Sequence, residues 1–314
     1  MEESKIVFTF AQKSKTMKKI MMVSLLLTAV IAVQAQLKIA PKMQKGTVKT
    51  YVTIATTSLP MQGDAKVTSE NKYTVVDVTS DGYLLDIETV SVEVDADANN
   101  IAGKLIAASE EMQKGTVVHF ATDKDGKITK LLNADELKQK MEQSADGIIE
   151  KMFTEVPMLS QVLTKEGLKA QLMDSFTEEV IIRGVQETTS PLSLNGKTLM
   201  TGSQEDYVSK DGMKMKRMYF VNGHNIIANA NLNMSEDEMK ELIIKQAEER
   251  APEQAKMIKE NIDQVMASGV LKINMEQKDT FELHNDGWVK SITTENVTET
   301  MGQKIITNST TNLK

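Results

Sequence analysis

Six short turn signals divide the chain, and they constrain its fold more than any other feature. Asn195-Gly196 and Asn222-Gly223 are Asn-Gly turns. The other four have the form x-Asp-Gly and lie at 80–82, 124–126, 210–212 and 285–287. Gly and Asn accept the positive φ that tight hairpins require. The pattern therefore predicts a series of β-hairpins.

The segments beside these turns alternate apolar and polar residues and are rich in β-branched side chains. This pattern is typical of strands with one buried face. The segments are 72–78, 83–94, 116–122, 127–132, 213–221, 224–232, 270–284, 288–300 and 304–313. Because tight turns join successive runs, we expect antiparallel meanders with one packed side and one solvent-facing side.

Apolar residues at helical spacing lie between the strands. A first helix opens at Asn133, which forms an N-x-x-E variant of the capping box with Glu136, and Pro157 should end it. Its apolar face comprises Leu137, Met141, Ile148, Ile149 and Met152. A shorter helix begins at Thr164 and carries Leu168, Leu172 and Phe176. Both stripes are expected to pack on the core.

A longer helical pattern starts at the capping box formed by Ser235 and Glu238 and ends near Gly269. Its apolar positions are Met239, Leu242, Ile243, Ala247, Ala251, Ala255, Ile258, Ile262 and Val265. Pro252 removes a backbone donor inside this run. We therefore expect the helix to be kinked or split there.

Consecutive hairpins with segregated helices indicate an α+β fold rather than a parallel α/β sheet. We expect a curved antiparallel sheet, built of half-barrel-like meanders and packed against amphipathic helices. Residues 36–314 should form one exported domain with two lobes that meet near 184–196. The hexapeptide MQKGTV occurs at 43–48 and at 112–117. It marks either a recurrent strand-entry turn or two equivalent strands of a duplicated half.

Much of the mature chain resembles an uncharacterised family of exported β-rich proteins of Gram-negative bacteria. The resemblance is carried by KGTVKTYVTIAT, KYTVVDVTSDGYLLDIET, GTVVHFATDKDGKITKLLNADEL and NDGWVKSITTENVTE. It rests on turns and strand entries, so it implies an exported β-rich protein and brings no functional residues. The expected architecture is also similar to the lipoprotein-carrier half-barrels of the periplasm, although fold does not imply function.

Residues 17–35 have the form of an export signal. Lys18 and Lys19 precede an apolar run over 20–33, and Val33-Gln34-Ala35 is a small-x-small site for cleavage before Gln36. The run is shorter than the roughly 20 residues that a membrane helix needs. We expect a cleaved signal, with an uncleaved anchor as the alternative. Residues 1–16 are then non-native upstream sequence read in frame, with translation starting at Met17; the alternative is a genuinely extended N-terminus of the signal.

Composition agrees with an exported, soluble protein. There is no cysteine, which excludes disulfides and a lipid-modified cysteine and suits a bacterial periplasm or cell surface. Residues 1–35 carry five Lys and two Glu, so their removal takes the net charge from −7 to −10. This charge disfavours nucleic acid and anionic membrane surfaces as partners. With 21 Met and 4% aromatic residues, the core should be aliphatic and adaptable in shape.

No motif for catalysis, metal or cofactor stands out. His119, His224 and His284 lie far apart in sequence, without the spacing of a zinc site. The Asp-Lys-Asp-Gly run at 123–126 is better explained by a hairpin than by a calcium loop, because the glycine follows the second Asp directly. The adjacent pairs Glu110-Glu111, Glu178-Glu179 and Glu248-Glu249 indicate solvated helix surface, since neighbours on a helix do not face each other.

Two further features each allow two interpretations. Met213, Met215, Met218 and His224 could bind Cu(I), but strand alternation places Met215 and Met218 on opposite faces, so core methionines are favoured. Trp288 could stack on a sugar, or it could be a buried strand residue.

The sequence leaves three classes of function in order of preference. We expect a non-enzymatic protein that binds a hydrophobic ligand such as a lipid in a sheet–helix cavity. The alternative is a structural or protein-interaction module of the envelope, with a packed core and a binding surface or sheet edge. An enzyme comes third because no site constellation supports it. No cofactor is expected, and no transmembrane anchor after signal cleavage.

Overall fold

A computed structural model gives the fold of the chain from residue 36 to 314. It describes these residues except 61–62, 97–99, 101–102, 105–106, 108–112, 158–159, 161–163, 175–176, 187–188, 210–211, 251, 268–272 and 301. The signal segment, residues 1–16, the Asp211 turn position, Glu110-Glu111 and Gly269 lie outside the described residues.

Long strands dominate the described chain. The strands are β1 (Leu37–Lys38), β2 (Val48–Leu59), β3 (Gly63–Val78), β4 (Tyr83–Ala96), β5 (Val117–Thr122), β6 (Ile128–Leu131), β7 (Thr198–Leu199), β8 (Gln204–Val208), β9 (Lys214–Asn222), β10 (Asn225–Leu232), β11 (Ile273–Leu283), β12 (Val289–Thr300) and β13 (Gln303–Leu313). The helices are α1 (Ala134–Glu155), α2 (Lys165–Asp174), α3 (Glu178–Gln186), α4 (Glu236–Arg250) and α5 (Pro252–Ala267).

Eleven strands form one antiparallel sheet in the order β6-β5-β4-β3-β2-β13-β12-β11-β10-β9-β8. Nearly every neighbour in this order is also a neighbour in sequence, as expected for hairpin meanders. The exception is β2, the first long strand, which pairs with β13, the last strand. Thr53 lies opposite Thr311 in this pair. The sheet is not closed, and β6 and β8 are its edges. The antiparallel α+β architecture predicted from the sequence is confirmed.

The core lies on one face of this sheet, near the ends of the strands that carry the largest side chains. Trp288 and Tyr51 are each 1% exposed, and Tyr51 donates a hydrogen bond to the carbonyl oxygen of Val289 at 2.7 Å. Tyr73 meets Tyr51 edge to face. Smaller apolar residues complete the cluster: Met43, Val75, Leu85, Phe120, Ile128, Leu131, Leu137 and Leu192.

The predicted turns form, but they use glycine in two ways. Gly126 and Gly287 have φ of +78° and +84°, as expected for tight turns. Gly82 does not have positive φ and is required by close packing instead. A Cβ there would lie 1.9 Å from the carbonyl oxygen of Thr122, so the β3–β4 turn rests directly on the end of β5.

Helix α1 buries its predicted face, with one correction at its start, whereas Phe176 and Ala251 of the other predicted faces lie outside the described residues. All five predicted apolar residues of α1 are buried, and the long helical pattern is split, with α5 beginning at Pro252. Ser235 and Glu238 form the predicted capping box, since each accepts the backbone N–H of the other. The predicted capping hydrogen bond of the Asn133 side chain is wrong, although Asn133 does precede the first residue of α1. Its side chain accepts from the N–H of His119 and donates to the carbonyl of Val117, and so ties α1 to β5.

The repeated MQKGTV segment forms the same strand entry twice, although Met112 lies outside the described residues. Gly46 has φ of +83° and Gly115 of +71°, and each donates its N–H to a neighbouring strand. The first turn pairs with Val75 on β3, which comes later in the chain, and the second pairs with Thr89 on β4, which comes earlier. The two pairings run in opposite order along the chain, which favours a recurrent turn over a duplicated half.

None of the helices in the described part of the chain combines the length and the apolar character that a membrane span requires.

Candidate ligand-binding site

The packed face of the sheet, here called the inner face, changes character along the strands. Beyond the core, pairing places seven residues in one line across seven strands, and six of them are polar. This line, the polar row, comprises Thr57, Thr307, Asn296, Gln277, Ala230, Arg217 and Glu205. It lies on the buried side, where hydrocarbon would be expected.

A shared carboxylate organises one end of the polar row. Glu205 accepts from the Lys197 ammonium at 2.6 and 2.7 Å and from Arg217 Nη1 at 3.0 Å. The guanidinium of Arg217 also stacks on the Tyr207 ring at 4.3 Å, and Lys197 contacts the hydroxyl of Tyr219 at 3.0 Å. Burial alone would raise the pKa of Glu205, but the positive charges of Lys197 and Arg217 outweigh it and lower that pKa. The carboxylate is therefore ionised at neutral pH.

A second carboxylate, that of Asp279, lies on β11 two residues beyond Gln277 of the polar row. Asp279 is 1% exposed and accepts hydrogen bonds from Thr189 and Thr294 at 2.9 Å each and from Gln277 at 2.7 Å. Burial raises its pKa, and these hydrogen bonds, with the charge of Arg217, offset only part of that effect. A buried acid of this kind holds its neighbours in one arrangement, because each donor would otherwise lose its partner.

The segment from Thr189 to Lys197 covers part of the inner face. Thr189 bonds to β11, and Leu192 packs in the core cluster. Asn195 is buried and donates to the carbonyl oxygen of Gly126 at 3.1 Å. Buried loops need partners for their polar groups, and this one finds them on both halves of the sheet. The inner face is thus filled by protein beneath this segment.

Past the polar row the inner face becomes apolar again near the strand ends. In this line Thr298 of β12 is polar, and the other residues form what we call the apolar lip. The apolar lip comprises Leu59, Ile305, Met275, Leu232, Met215 and Tyr207, of which Met215 is buried and the others are half-buried. At its β8 end lies a cavity of about 650 Å³ between the strands and the start of α4. Tyr207, Met215, Leu232 and Met234 contribute apolar surface to it. We call this space the lip cavity.

The lip cavity is less apolar than the sequence suggested. Asp206, Lys214 and Glu238 line it together with Asn233 and Ser235. Lys214 forms an ion pair with Glu238 across the cavity mouth, from β9 to the first turn of α4. The hydrogen bonds from Lys214 and Ser235 lower the pKa of Glu238 to about 2. A ligand here would meet hydrocarbon on one side and fixed charges on the other.

The histidines lie where the sequence suggested, apart from one another. His119 contacts Asp86 at 2.5 Å on the outer face, and His284 contacts Asp286 at 3.1 Å in the turn before β12. Within the described ranges, no three histidine, aspartate or glutamate side chains converge on a point where a metal could bind.

The Asp-Lys-Asp-Gly run is a hairpin turn. Asp123 accepts the backbone N–H groups of Asp125 and Lys127, each at 2.9 Å, so its carboxylate is committed to the turn. Met215 is buried and Met218 is 36% exposed, on opposite faces as predicted. Trp288 is buried and donates to the carbonyl of Lys42 at 3.2 Å, which excludes a role in stacking on a sugar.

Sequence reasoning missed the polar row, although a signal for it exists. In β9, Arg217 stands between Met215 and Tyr219 at the same strand parity, so it had to face inward. Asp279 likewise shares its parity with Phe281 in β11. A charged residue at an apolar parity marks a buried charge that needs partners. Glu178 was assigned to solvated helix surface, but its carboxylate also accepts the backbone N–H of Leu131.

No protein-family model matches this chain, and no curated protein matches it. Among solved structures, lipovitellin, described for its lipid–protein interactions, aligns with 87% of this chain at a TM-score of 0.36 and 9% identity. This chain spans 25% of the lipovitellin chain. An S-type phycobiliprotein lyase from Guillardia theta aligns with 85% of this chain and 88% of its own, at a TM-score of 0.20 and 7% identity.

A porin-like protein from Bacteroides uniformis aligns with 88% of this chain and 98% of its own, at a TM-score of 0.20 and 10% identity. Similarities this weak carry no functional argument.

Proposed function

We propose that the mature chain is an exported, non-enzymatic envelope protein of a Gram-negative bacterium, and that it binds a hydrophobic ligand such as a lipid between the sheet and α4. The observation that carries this proposal is the lip cavity. Its volume of about 650 Å³ lies within the roughly 300–1,000 Å³ of small-molecule sites. The apolar side chains of the lip extend from it along the inner face.

Curvature of the sheet supports the same proposal. Laid flat, eleven strands would hold β6 and β8 about 48 Å apart, since neighbouring strands lie about 4.8 Å apart. Yet Lys127, beside β6, and Glu205 to Tyr207 of β8 line one cavity of about 250 Å³. We infer a half-barrel-like sheet with the inner face on its concave side.

The mixed lining defines the kind of ligand. Leu232, Met215 and Met234 can pack against an apolar body, and methionine adapts to irregular shapes. The ion pair of Lys214 with Glu238 at the mouth would meet a polar end group. An amphipathic molecule satisfies both, because a purely apolar one would desolvate these charges without replacing their water. The export signal and the family resemblance agree with a role outside the cytoplasm.

A packed interior favours a second candidate, a structural or interaction module of the envelope. The segment from Thr189 to Lys197 and the side chain of Trp288 fill much of the space beneath the inner face. On this account the lip cavity is a surface depression without a resident ligand. Binding at the lip separates the two candidates.

The test uses the neutral fluorescent probe N-phenyl-1-naphthylamine and the mature chain. Leu232→Asp and Met234→Asp each place a charge in the lip cavity, and we expect either to weaken probe binding at least tenfold. Met257→Asp is the matched control, because Met257 is 60% exposed on α5. Thermal unfolding checks that each variant folds. Saturable binding that survives both lip substitutions, or no saturable binding at all, would refute the proposal.

A further inference from the structure

The two edge strands of the sheet, β6 and β8, differ in whether side chains from elsewhere in the protein bond to their outward backbone groups. At β6, the Glu178 carboxylate accepts the N–H of Leu131 at 3.1 Å, and the Gln186 amide donates to the carbonyl of Ile128. Helix α3 therefore satisfies backbone groups of that edge with its own side chains. Native proteins protect edge strands in this way, because an open edge can pair with another chain.

The β8 edge has no such cover in the described part of the chain. Tyr219 donates its N–H to Ser203, and Ser209 donates to Met213, so these residues form hydrogen-bonded pairs between β8 and β9. In an antiparallel pair, bonded and non-bonded residues alternate. The N–H and C=O groups of Gln204, Asp206 and Val208 therefore point away from β9. Within the described ranges, no hydrogen bond reaches them.

Space for another strand lies beside this edge. A cavity of about 470 Å³ separates Val208 from Ile182 and Gln186 of α3. A second cavity of about 250 Å³ lies against Tyr207 and Asn195 and shares Gln186 with the first. Five residues of strand extend about 17 Å, the length of β8 itself.

We propose that the β8 edge binds an extended segment of another polypeptide, which adds a twelfth strand to the sheet. This inference goes beyond ligand binding at the lip and does not depend on it. Backbone hydrogen bonds to Gln204, Asp206 and Val208 supply the affinity, and alternate side chains supply the specificity.

The side chains at this edge define the sequence that fits. Asp206 is exposed on the outer face, so the residue opposite it is Lys or Arg, because opposite charges stabilise cross-strand pairs. Val208 is 42% exposed, and Ile182 lies across the 470 Å³ cavity, so the residue opposite Val208 is apolar. Asp206 and Val208 share one face. The partner segment thus carries a basic and an apolar residue two positions apart.

A second copy of this chain fits poorly at the same edge. Two antiparallel β8 strands overlap fully only when Asp206 of one copy lies opposite Asp206 of the other. Like charges directly opposite each other destabilise a strand pair. The occupant is therefore a different polypeptide.

The first test needs no partner. Amide hydrogen exchange of the mature chain, resolved by NMR, should show fast exchange at Asp206 and Val208 and slow exchange at Glu205 and Tyr207. Slow exchange at all four would mean that the edge is already paired, and it would overturn the proposal.

The second test selects a random linear heptapeptide library displayed on phage against the mature chain. We expect enriched peptides with a basic and an apolar residue two positions apart, and protection of the Asp206 and Val208 amides when they bind. Asp206→Pro should weaken them at least tenfold, because it removes an outward N–H and leaves the β8–β9 bonds intact. Asp206→Lys should reverse the preference to acidic peptides. No enrichment, or binding that ignores both substitutions, would refute the proposal.

Discussion

Removing the carboxylate of Glu205 should destabilise the protein, because two cations share it. The perturbation is Glu205→Met, which keeps most of the side-chain volume. It removes the ion pair between Glu205 and Arg217, whose side chain is 5% exposed. Removing one partner of a buried pair costs about 3–5 kcal/mol. Asp279 also acts on Arg217 electrostatically, so we expect the lower end, about 3 kcal/mol.

Urea unfolding of the mature chain, followed by circular dichroism at pH 7, measures this loss. The midpoint should fall with the slope unchanged, and the melting temperature should fall by about 6–12 °C. The double variant Glu205→Met/Arg217→Met is the control. It removes the buried cation together with the carboxylate, so it should be more stable than Glu205→Met alone. Because Lys197 still loses the carboxylate, the recovery should be partial.

Two outcomes would refute the reasoning about Glu205. A loss below about 1 kcal/mol for the single variant would mean that the pair behaves like a solvent-exposed one. A double variant as unstable as the sum of the two single variants would mean that the two side chains are not coupled.

Three further predictions follow from individual contacts. NMR titration should give Glu238 a pKa of about 2, so the stability it contributes is complete above pH 4.5 and is lost as the pH falls towards 2. Lys214→Met should raise this pKa, and an unchanged value would contradict the ion pair. Burial raises the pKa of Asp279 above its usual 3.8. In urea unfolding, the stability of Asp279→Asn relative to the wild type should therefore increase as the pH rises above 3.8. A stability difference that does not change with pH would be contrary evidence. Gly82→Ala should lower the free energy of unfolding by at least about 2 kcal/mol, because its Cβ would meet the Thr122 carbonyl. Gly147→Ala, at an unobstructed position in α1, should raise it by about 0.5–1 kcal/mol. Equal effects of the two variants would exclude the close approach at Gly82.

The hairpins could be predicted because turn chemistry and alternation are local signals. The β11–β12 hairpin, for example, is marked by the turn at Gly287 between two alternating runs. The split at Pro252 is equally local, since the missing N–H ends a helix whatever surrounds it. These signals describe each strand and helix but not the order of strands in the sheet.

The arrangement of the candidate sites depends on contacts between distant parts of the chain. Strand β8 was not predicted, because QEDYV is short and its polar residues hide the alternation. Its position at the edge follows from the strand order of the whole sheet, which local patterns do not encode. The bond from Thr189 to Asp279 likewise joins residues 90 positions apart. The capping role of Asn133 was misassigned because β5 competes for its side chain.

The most direct test of the central claim is native mass spectrometry of the mature chain, expressed with its signal in a Gram-negative host and isolated from the periplasm without detergent. If the lip cavity binds a lipid-like ligand, the spectrum should show one amphipathic molecule per chain, and Leu232→Asp should lose it while Met257→Asp keeps it. A wild-type chain at its bare mass, or an adduct that persists in Leu232→Asp, would contradict the account.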